Sequence, residues 1–355
     1  MKRLTNITTR CLTIFTILLL ATLTSCKKDI GTDTTPADGS STGNPISFST
    51  HDAFSKAVIN SKTDLEQEGN SFKVFGWFEG TTPGHMFGEG GTPVTFKDEV
   101  WTYEPVRYWM NGTYDFAAVY PSTVNARYDV ITSGQLPLLT VTDFDVTNQD
   151  DLLIAFKTSV DGSNGNANTA VELNFQHSLS NIQLHLTLDE KTFYEPIEGG
   201  KRQVGYAFVS LIGFNFISTS GSLSASINDP QNFKWSTQDL DNRLRINYTD
   251  KPIEITDDNT VNFLGENGVL VIPQSFRDEA CKAELIMQVT IYPLGVTSEG
   301  IVKEFAVPLK SGVLDWMPNT KYIYEGVVKQ ELVIDFSVTT VNGWEKNTLG
   351  GFIVS

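Results

Sequence analysis

The chain has 355 residues, more than one compact core usually holds, so beyond any targeting segment its length predicts two domains of roughly 150 residues each. It is 40% hydrophobic, 11% aromatic and only 19% charged, a balance that excludes disorder over most of its length. With 42 acidic against 26 basic side chains the net charge is −16, a surface that repels phosphate backbones and argues against nucleic acid as a partner. The three cysteines, Cys11, Cys26 and Cys281, are too few for a disulfide scaffold and form no metal-type pair at close spacing.

Lys2, Arg3 and Arg10 make a positive end, Cys11 to Leu23 is a short apolar run, and Leu23-Thr24-Ser25-Cys26 follows at once. That is the pattern of an export signal, and the run falls short of the roughly 20 residues a helix needs to cross a bilayer. The tetrad resembles a bacterial lipobox, whose cysteine receives a diacylglycerol before cleavage. Residues 1–25 are therefore expected to be a cleaved signal peptide and Cys26 the lipidated first residue. Each buried methylene of an acyl chain supplies roughly 0.8 kcal/mol, so several chains on one cysteine anchor a folded domain without a spanning helix. Cleavage leaves 23 basic and 42 acidic residues, a still more acidic surface. Lys27-Lys28-Asp29 resembles in part the lysine-plus-acid signal of Bacteroidetes surface lipoproteins, and Asp33-Thr34-Thr35 resembles their O-glycosylation tripeptide. Residues 26–45, rich in Thr, Ser, Asp, Gly and Pro with almost nothing to bury, predict a flexible tether.

Past the tether, runs of β-branched and aromatic residues recur with turn punctuation between them. They are Phe72 to Phe78, Tyr114 to Tyr120, Val171 to Phe175, Ile182 to Leu188, Val204 to Ile217, Ile301 to Leu309 and Leu332 to Val338. Each predicts a strand. Gly80-Thr81-Thr82-Pro83-Gly84, Gly88-Glu89-Gly90-Gly91 and Asp161-Gly162-Ser163-Asn164-Gly165 are turn or loop chemistry. Only Asp278 to Met287 has helical spacing, and it runs into Gln288 to Tyr292, which alternates like a strand. Many short strands without long helices predict an all-β chain of β-sandwiches, with a boundary near His177 to Ser180. The expected domains are 46–178 and 179–355.

No G-x-S-x-G elbow, phosphate-binding G-x-x-x-x-G-K-[ST] loop or H-E-x-x-H zinc pair occurs. Catalytic, cofactor and metal residues are all expected to be none. Of the four histidines, His51, His85, His177 and His185, the last two have no cysteine or carboxylate at ligand spacing and are expected to be structural. Asp143/Asp145, Asp150/Asp151 and Asp257/Asp258 are candidates for a glycosidase couple, but turns and caps are the commoner use of such pairs. Trp77, Trp101 and Trp109 with Tyr103, Tyr108 and Tyr114 form an aromatic cluster, expected to be core. Trp101 and Trp109 are the candidate glycan-contacting aromatics if the cluster instead faces solvent.

The ordered string of small motifs is more specific than any one of them. Ile46-Ser47-Phe48 opens it, then Phe72-Lys73-Val74-Phe75-Gly76-Trp77, Trp101-Thr102-Tyr103, Tyr108-Trp109, Tyr114-Asp115-Phe116 through Tyr120-Pro121, and Asp151-Leu152-Leu153-Ile154-Ala155. Leu173-Asn174-Phe175-Gln176-His177-Ser178, Val271-Ile272-Pro273-Gln274, Trp316-Met317-Pro318-Asn319-Thr320-Lys321-Tyr322 and Trp344 follow. Together they resemble the fimbrillin family of Bacteroidales, the subunits of type V pili. The resemblance implies two β-sandwich domains of transthyretin-like Greek-key topology, export as a lipoprotein to the outer membrane, and assembly into an adhesive surface fimbrium with other fimbrial subunits. Shaft subunits of that family resemble zymogens, in which a protease removes the first strand and a neighbour's strand fills the groove. Ile46 to Thr50 is the segment in that position.

The chain departs from the family where Thr-Arg-Ala is often found, reading Ser55-Lys56-Ala57, and it has no arginine between Cys26 and Lys73. The candidate processing sites are therefore Lys56 and Lys62. The alternative is a subunit that is never cut, which suits an anchor. The tail Gly350-Gly351-Phe352-Ile353-Val354-Ser355 is a possible donor strand, carried by Phe352, Ile353 and Val354. The runner-up function is a surface glycan-binding lipoprotein of a polysaccharide-uptake system; a carboxylate hydrolase is a third.

Overall fold

A computed structural model describes residues 44–51, 59, 61–80, 82–130, 137–162, 169–238, 241–258, 261–293, 299–342 and 345–354. Strands dominate them and pair mostly antiparallel, and the described helices are single turns such as Lys62–Leu65 and Glu190–Phe193. A central sheet runs in the order Gln176–His177, Leu153–Asp161, Thr113–Tyr120, Ser71–Glu79, Thr92–Lys97, Val100–Thr102, with Gly84–His85 beside Ser71–Glu79. Successive side chains of a strand point to opposite faces. In Ser71–Glu79, Phe72, Val74 and Phe78 enter one core while Phe75 enters another. Thr113–Tyr120 repeats the division, with Tyr114, Phe116 and Ala118 on the first side and Ala117 and Val119 on the second. The central sheet is thus apolar on both faces.

The back face is covered by a four-stranded sheet, Asp229–Gln238, Ser220–Ser226, Leu138–Asp145, Ala126–Asp129. Two of its strands precede the boundary expected near residue 178 and two follow it, joined where Leu223 opposes Val141 and Ala225 opposes Leu139. Leu139, Val141, Leu223 and Ala225 all turn into the core shared with Phe75 and Val119.

The rest of the chain packs two further sheets face to face. One has the order Val269–Val271, Ser180–Leu188, Thr320–Lys329, Val333–Asn342, Glu345–Val354; the other Asn242–Asn247, Gly205–Ile217, Glu284–Pro293, Ile301–Pro308, with Ile253–Ile255 beside Gly205–Ile217. Ile182, Leu184, Leu186, Ile334 and Phe336 from the first meet Val209, Phe214, Met287, Val289 and Phe305 from the second in one core. This is a β-sandwich, as two sheets each apolar on one face require.

The strands expected at 72–78, 114–120, 182–188, 204–217, 301–309 and 332–338 all form, with ends shifted by a few residues. The run expected from Val171 to Phe175 is strand only over Val171–Leu173. The helical spacing seen at 278–287 is overturned: Glu284–Pro293 is a strand whose Leu285, Met287, Val289 and Ile291 face the core with period two. Ile286, on the opposite face, is also buried, and the unbroken apolar run Leu285-Ile286-Met287 obscures the alternation.

Gly76 lies where the front face of the central sheet is crowded. A Cβ there would stand 2.7 Å from Phe87 Cδ2 and 3.3 Å from Phe116 Cε1. Gly76→Ala is therefore expected to lower stability by about 1–3 kcal/mol in urea denaturation, the usual range for overpacking. At Gly84 a Cβ meets nothing within 4 Å, and Gly84→Ala is expected to stay within about 1 kcal/mol of the parent.

Candidate functional site

The front face of the central sheet is closed by a strand that belongs to none of the large sheets. Phe48–Thr50 pairs in parallel with Val171–Leu173, Phe48 opposite Val171 and Thr50 opposite Leu173, and this pair forms a two-stranded sheet of its own. The preceding residues pair on the other side, where Ile46 donates its N–H to Arg107 O at 2.8 Å and Asn44 O accepts from Trp109 N at 3.0 Å. Ser47 O accepts from Val171 N at 2.7 Å. The segment therefore lies between two backbones and satisfies groups on both.

Its side chains alternate as the sequence Ile-Ser-Phe-Ser-Thr dictates: Ile46, Phe48 and Thr50 are buried, and Ser47 is exposed. The Phe48 ring sits among Phe72, Phe87, Tyr103 and Phe116 with centroids 5.7–6.2 Å away, every contact tilted or edge-on in the manner aromatic quadrupoles favour. Tyr103 clamps the strand from outside: its hydroxyl donates to Ile46 O at 2.7 Å and accepts from Arg107 N at 3.3 Å. Burial pushes the Tyr103 phenol up to about 12, against the smaller opposing effects of the Arg107 amide and charge. At the far end Thr50 Oγ1 donates to Glu66 Oε1 at 2.6 Å. Glu66 closes the helical turn Lys62–Leu65, which starts at Ser61, whose Oγ accepts from Asp64 N, and ends under Asn70, whose amide donates to Asp64 O and Leu65 O. Leu65 and Ile59 plug into the same core as Phe48.

The geometry corrects the aromatic candidates. Trp101 and Trp109 are both buried, Trp101 against Phe72 and Phe96 at 4.7 and 5.0 Å and Trp109 against Tyr114 at 4.9 Å. A sugar ring reaches neither face without opening the core, because these rings replace solvent at the front of the central sheet. The acids do not converge either. Asp145 Oδ1 caps Thr147 N, Asp257 pairs with Lys201 at 3.1 Å, and Asp151 is sealed with His177. Among the described residues no three His, Cys, Asp or Glu side chains are grouped to hold a metal ion.

Asp151 and His177 escape a sequence reading as a pair. His177 Nδ1 lies 3.1 Å from Asp151 Oδ2, both side chains are almost wholly buried, and Asp151 also accepts weakly from Ile59 N at 3.5 Å. Beside them Ser178 N and Oγ both donate to Leu152 O. The pair joins the start of Leu153–Asp161 to Gln176–His177. A separation of 26 residues hides it; the only signal is an acid and a histidine at the facing ends of two neighbouring strands.

Of the other candidates, Cys26 and Lys56 lie outside the described residues. Lys62 opens the helical turn, its C=O accepting from Glu66 N and its Nζ 3.8 Å from Glu66 Oε1. Phe352, Ile353 and Val354 lie in Glu345–Val354, the outermost strand of its sheet, opposite Phe336, Asp335 and Ile334.

A family model described as fimbrillin-like matches residues 55–344. No curated protein sequence matches the chain. Among solved structures the fold is similar to that of a fimbrial protein from Bacteroides vulgatus, with 13% identity, coverage of 84% of this chain and 99% of that one, and a TM-score of 0.56. A fimbrial assembly protein from Parabacteroides distasonis is similar at 12% identity, over 86% of this chain and 98% of that one, with a TM-score of 0.37.

The Tyr103 clamp has a pH signature. Its folded pKa is raised above the ordinary value of 10.0, so the neutral phenol is favoured by folding. That contribution is complete below pH 10 and is lost as pH rises towards about 12. Tyr103→Phe is expected to cost about 1 kcal/mol at neutral pH, the usual value of one hydrogen bond, and to make the alkaline decline shallower. Urea denaturation of both proteins at neutral pH and above pH 10 measures it.

Proposed function

Because the chain belongs to the fimbrillin-like family, we propose that it is a structural and adhesive subunit of a type V fimbria, exported as a lipoprotein through Cys26 and assembled by donor-strand exchange. Its place is the cell surface, held at the outer membrane by the lipid until assembly. The observation that carries this reading is the first strand: a short segment outside the large sheets, buried through Ile46 and Phe48, bonded to backbones on both sides. Removing it uncovers the rings of Phe72, Phe87, Tyr103 and Phe116 and leaves Arg107 O, Trp109 N and Val171 N without partners from that strand. An incoming strand meets the apolar and the hydrogen-bonding deficit together. Donor and acceptor are different surfaces, so the contact is heterologous and builds an open filament.

The end of the chain is a suitable donor. Val333–Asn342 and Glu345–Val354 are the last two strands of their sheet, and the buried residues Ile334, Phe336 and Val338 repeat the spacing of Ile46, Phe48 and Thr50. The C-terminal segment we assign as donor therefore includes Val333–Asn342 as well as Phe352 to Val354. In this reading the sandwich built on 46–178 bears the groove and the one built on 179–355 the donor, with Ser220–Ser226 and Asp229–Gln238 of the second stretch completing the back sheet of the first. The burial of Trp101 and Trp109 removes the support for the glycan-binding alternative.

Processing falls to lysine. Proteases bind extended backbone, and Lys62 is committed to a hydrogen-bonded turn anchored by the buried Leu65. Trypsin is expected to cut after Lys56 before it cuts after Lys62, read by N-terminal sequencing as a new Ala57 terminus. Negative-stain microscopy of the cut protein is expected to show filaments; protein that stays monomeric after loss of residues 44–50 counts against a shaft role and leaves the uncut anchor.

A further inference from the structure

The contacts that hold residues 44–50 are of three kinds, and they differ in what they can read. The ladder bonds and the Tyr103 hydroxyl address backbone atoms, so they hold any strand. The pockets around Ile46 and Phe48 read size and apolarity. Only the third inward position is read by a polar group. Thr50 is buried, its neighbours on the strand's inner face are apolar, and its hydroxyl meets the Glu66 carboxylate at 2.6 Å.

Glu66 is also held by contacts that do not involve the strand. Its backbone N–H bonds to Lys62 O at 2.7 Å, Lys62 Nζ stands 3.8 Å from the same oxygen that Thr50 reaches, Leu65 beside it is fully buried, and Asn70 fixes the end of the turn. Four-fifths of the Glu66 side chain is out of solvent. A strand with an aliphatic residue at this position sets a methyl group against a carboxylate that has lost its hydroxyl donor, and a partly buried acceptor left so is penalised more than a mean hydrogen bond is worth.

We propose that Glu66 is a specificity-determining residue of the groove, selecting strands of the form large apolar, any, large apolar, any, Ser or Thr. The proposal rests on the strand-exchange reading and goes beyond it, because it names the partner's chemistry. Val333–Asn342, the last strand but one and part of the segment assigned as donor, offers Ile334, Phe336 and then Val338, which lacks the hydroxyl. A second copy therefore fits the apolar pockets but binds more weakly at the last one, well enough to polymerise only once the resident strand is gone. The preferred donor is a different subunit whose strand ends in a hydroxyl, and the resident strand outcompetes this strand of a copy until it is cut away.

The test uses the full chain with a specific protease site inserted between residues 52 and 58, cut so that the first strand is held by contacts alone. Two fluorescent peptides compete for the groove: residues 44–52 as they stand, and the same peptide with Thr50→Val. The threonine peptide is expected to bind roughly ten- to a hundredfold more tightly, which at about 1.4 kcal/mol per tenfold is about 1.4–2.8 kcal/mol. Glu66→Ala is expected to erase the difference, weakening the threonine peptide and relieving the valine peptide of the stranded carboxylate, the coupling a double-mutant cycle isolates. Equal binding of the two peptides to the unaltered groove overturns the role of Glu66 while leaving strand exchange intact. Failure of both peptides to enter overturns strand exchange and the proposal with it.

Discussion

A sheet that is apolar on both faces has to be covered twice, and the two covers of the central sheet are unequal. Behind it lies a four-stranded sheet, bound strand to strand by its own ladders, which turns Leu139, Val141, Leu223 and Ala225 into the shared core. In front of it lie loops, buried aromatic rings and a segment that contributes two large side chains and a handful of hydrogen bonds. Full burial of Ile46 and Phe48 is worth about 3–6 kcal/mol together, of the same order as the whole stability of many domains. The resident segment is thus held firmly, yet its loss leaves the back core untouched. The front is the side on which part of the cover is a short separate segment, and the proposed exchange acts there.

The two parts of the chain are also tied to one another by polar contacts at their junction. Gln149 donates to Val146 O and Leu270 O and accepts from Leu270 N, so one side chain replaces a missing ladder step between residues 121 apart. Trp235 donates its indole N–H to Ser178 O, and Ser180 Oγ donates to Met317 O. The sealed Asp151–His177 pair sits in the same zone. A buried pair of this kind adds little net stability but is expensive to break singly, which makes it a device for fixing geometry. In the proposed strand-exchange reading, these contacts join the part that accepts a strand to the part that donates one.

Much of this fold is legible because a half-buried strand writes itself into sequence with period two. Ile46, Phe48 and Thr50 alternate in the sequence as they do in the groove, and Ile182, Leu184 and Leu186 announce the sandwich core in the same way. The aromatic cluster reads as core on composition; Trp101, Trp109 and Tyr114 are buried accordingly, whereas Tyr108 is exposed and Trp77 only partly buried. What stays hidden is through-space pairing. Nothing local links Asp151 to His177, Thr50 to Glu66, or Leu139 to Ala225, because each contact depends on which strands become neighbours and in what register. The stretch 278–287 misleads for a related reason: Ile286 is buried on the face opposite Leu285 and Met287, and a strand apolar on both sides loses the alternation that distinguishes it from a helix.

Charge decides what kind of contact can build a fibre from this chain. Copies carrying a net charge of −16 repel one another at every separation where their surfaces are merely close. Flat side-by-side association is therefore disfavoured, and the exposed edge strand Ile301–Pro308 carries Lys303, Glu304 and a closing Pro308, features that blunt edge-to-edge pairing. Insertion of a strand escapes the repulsion because it buries apolar side chains and backbone groups inside a subunit, where the attraction is short-ranged and large compared with the screened field outside. In the proposed reading an acidic surface suppresses unspecific contacts, and an inserted strand is the one kind of contact strong enough to overcome that repulsion.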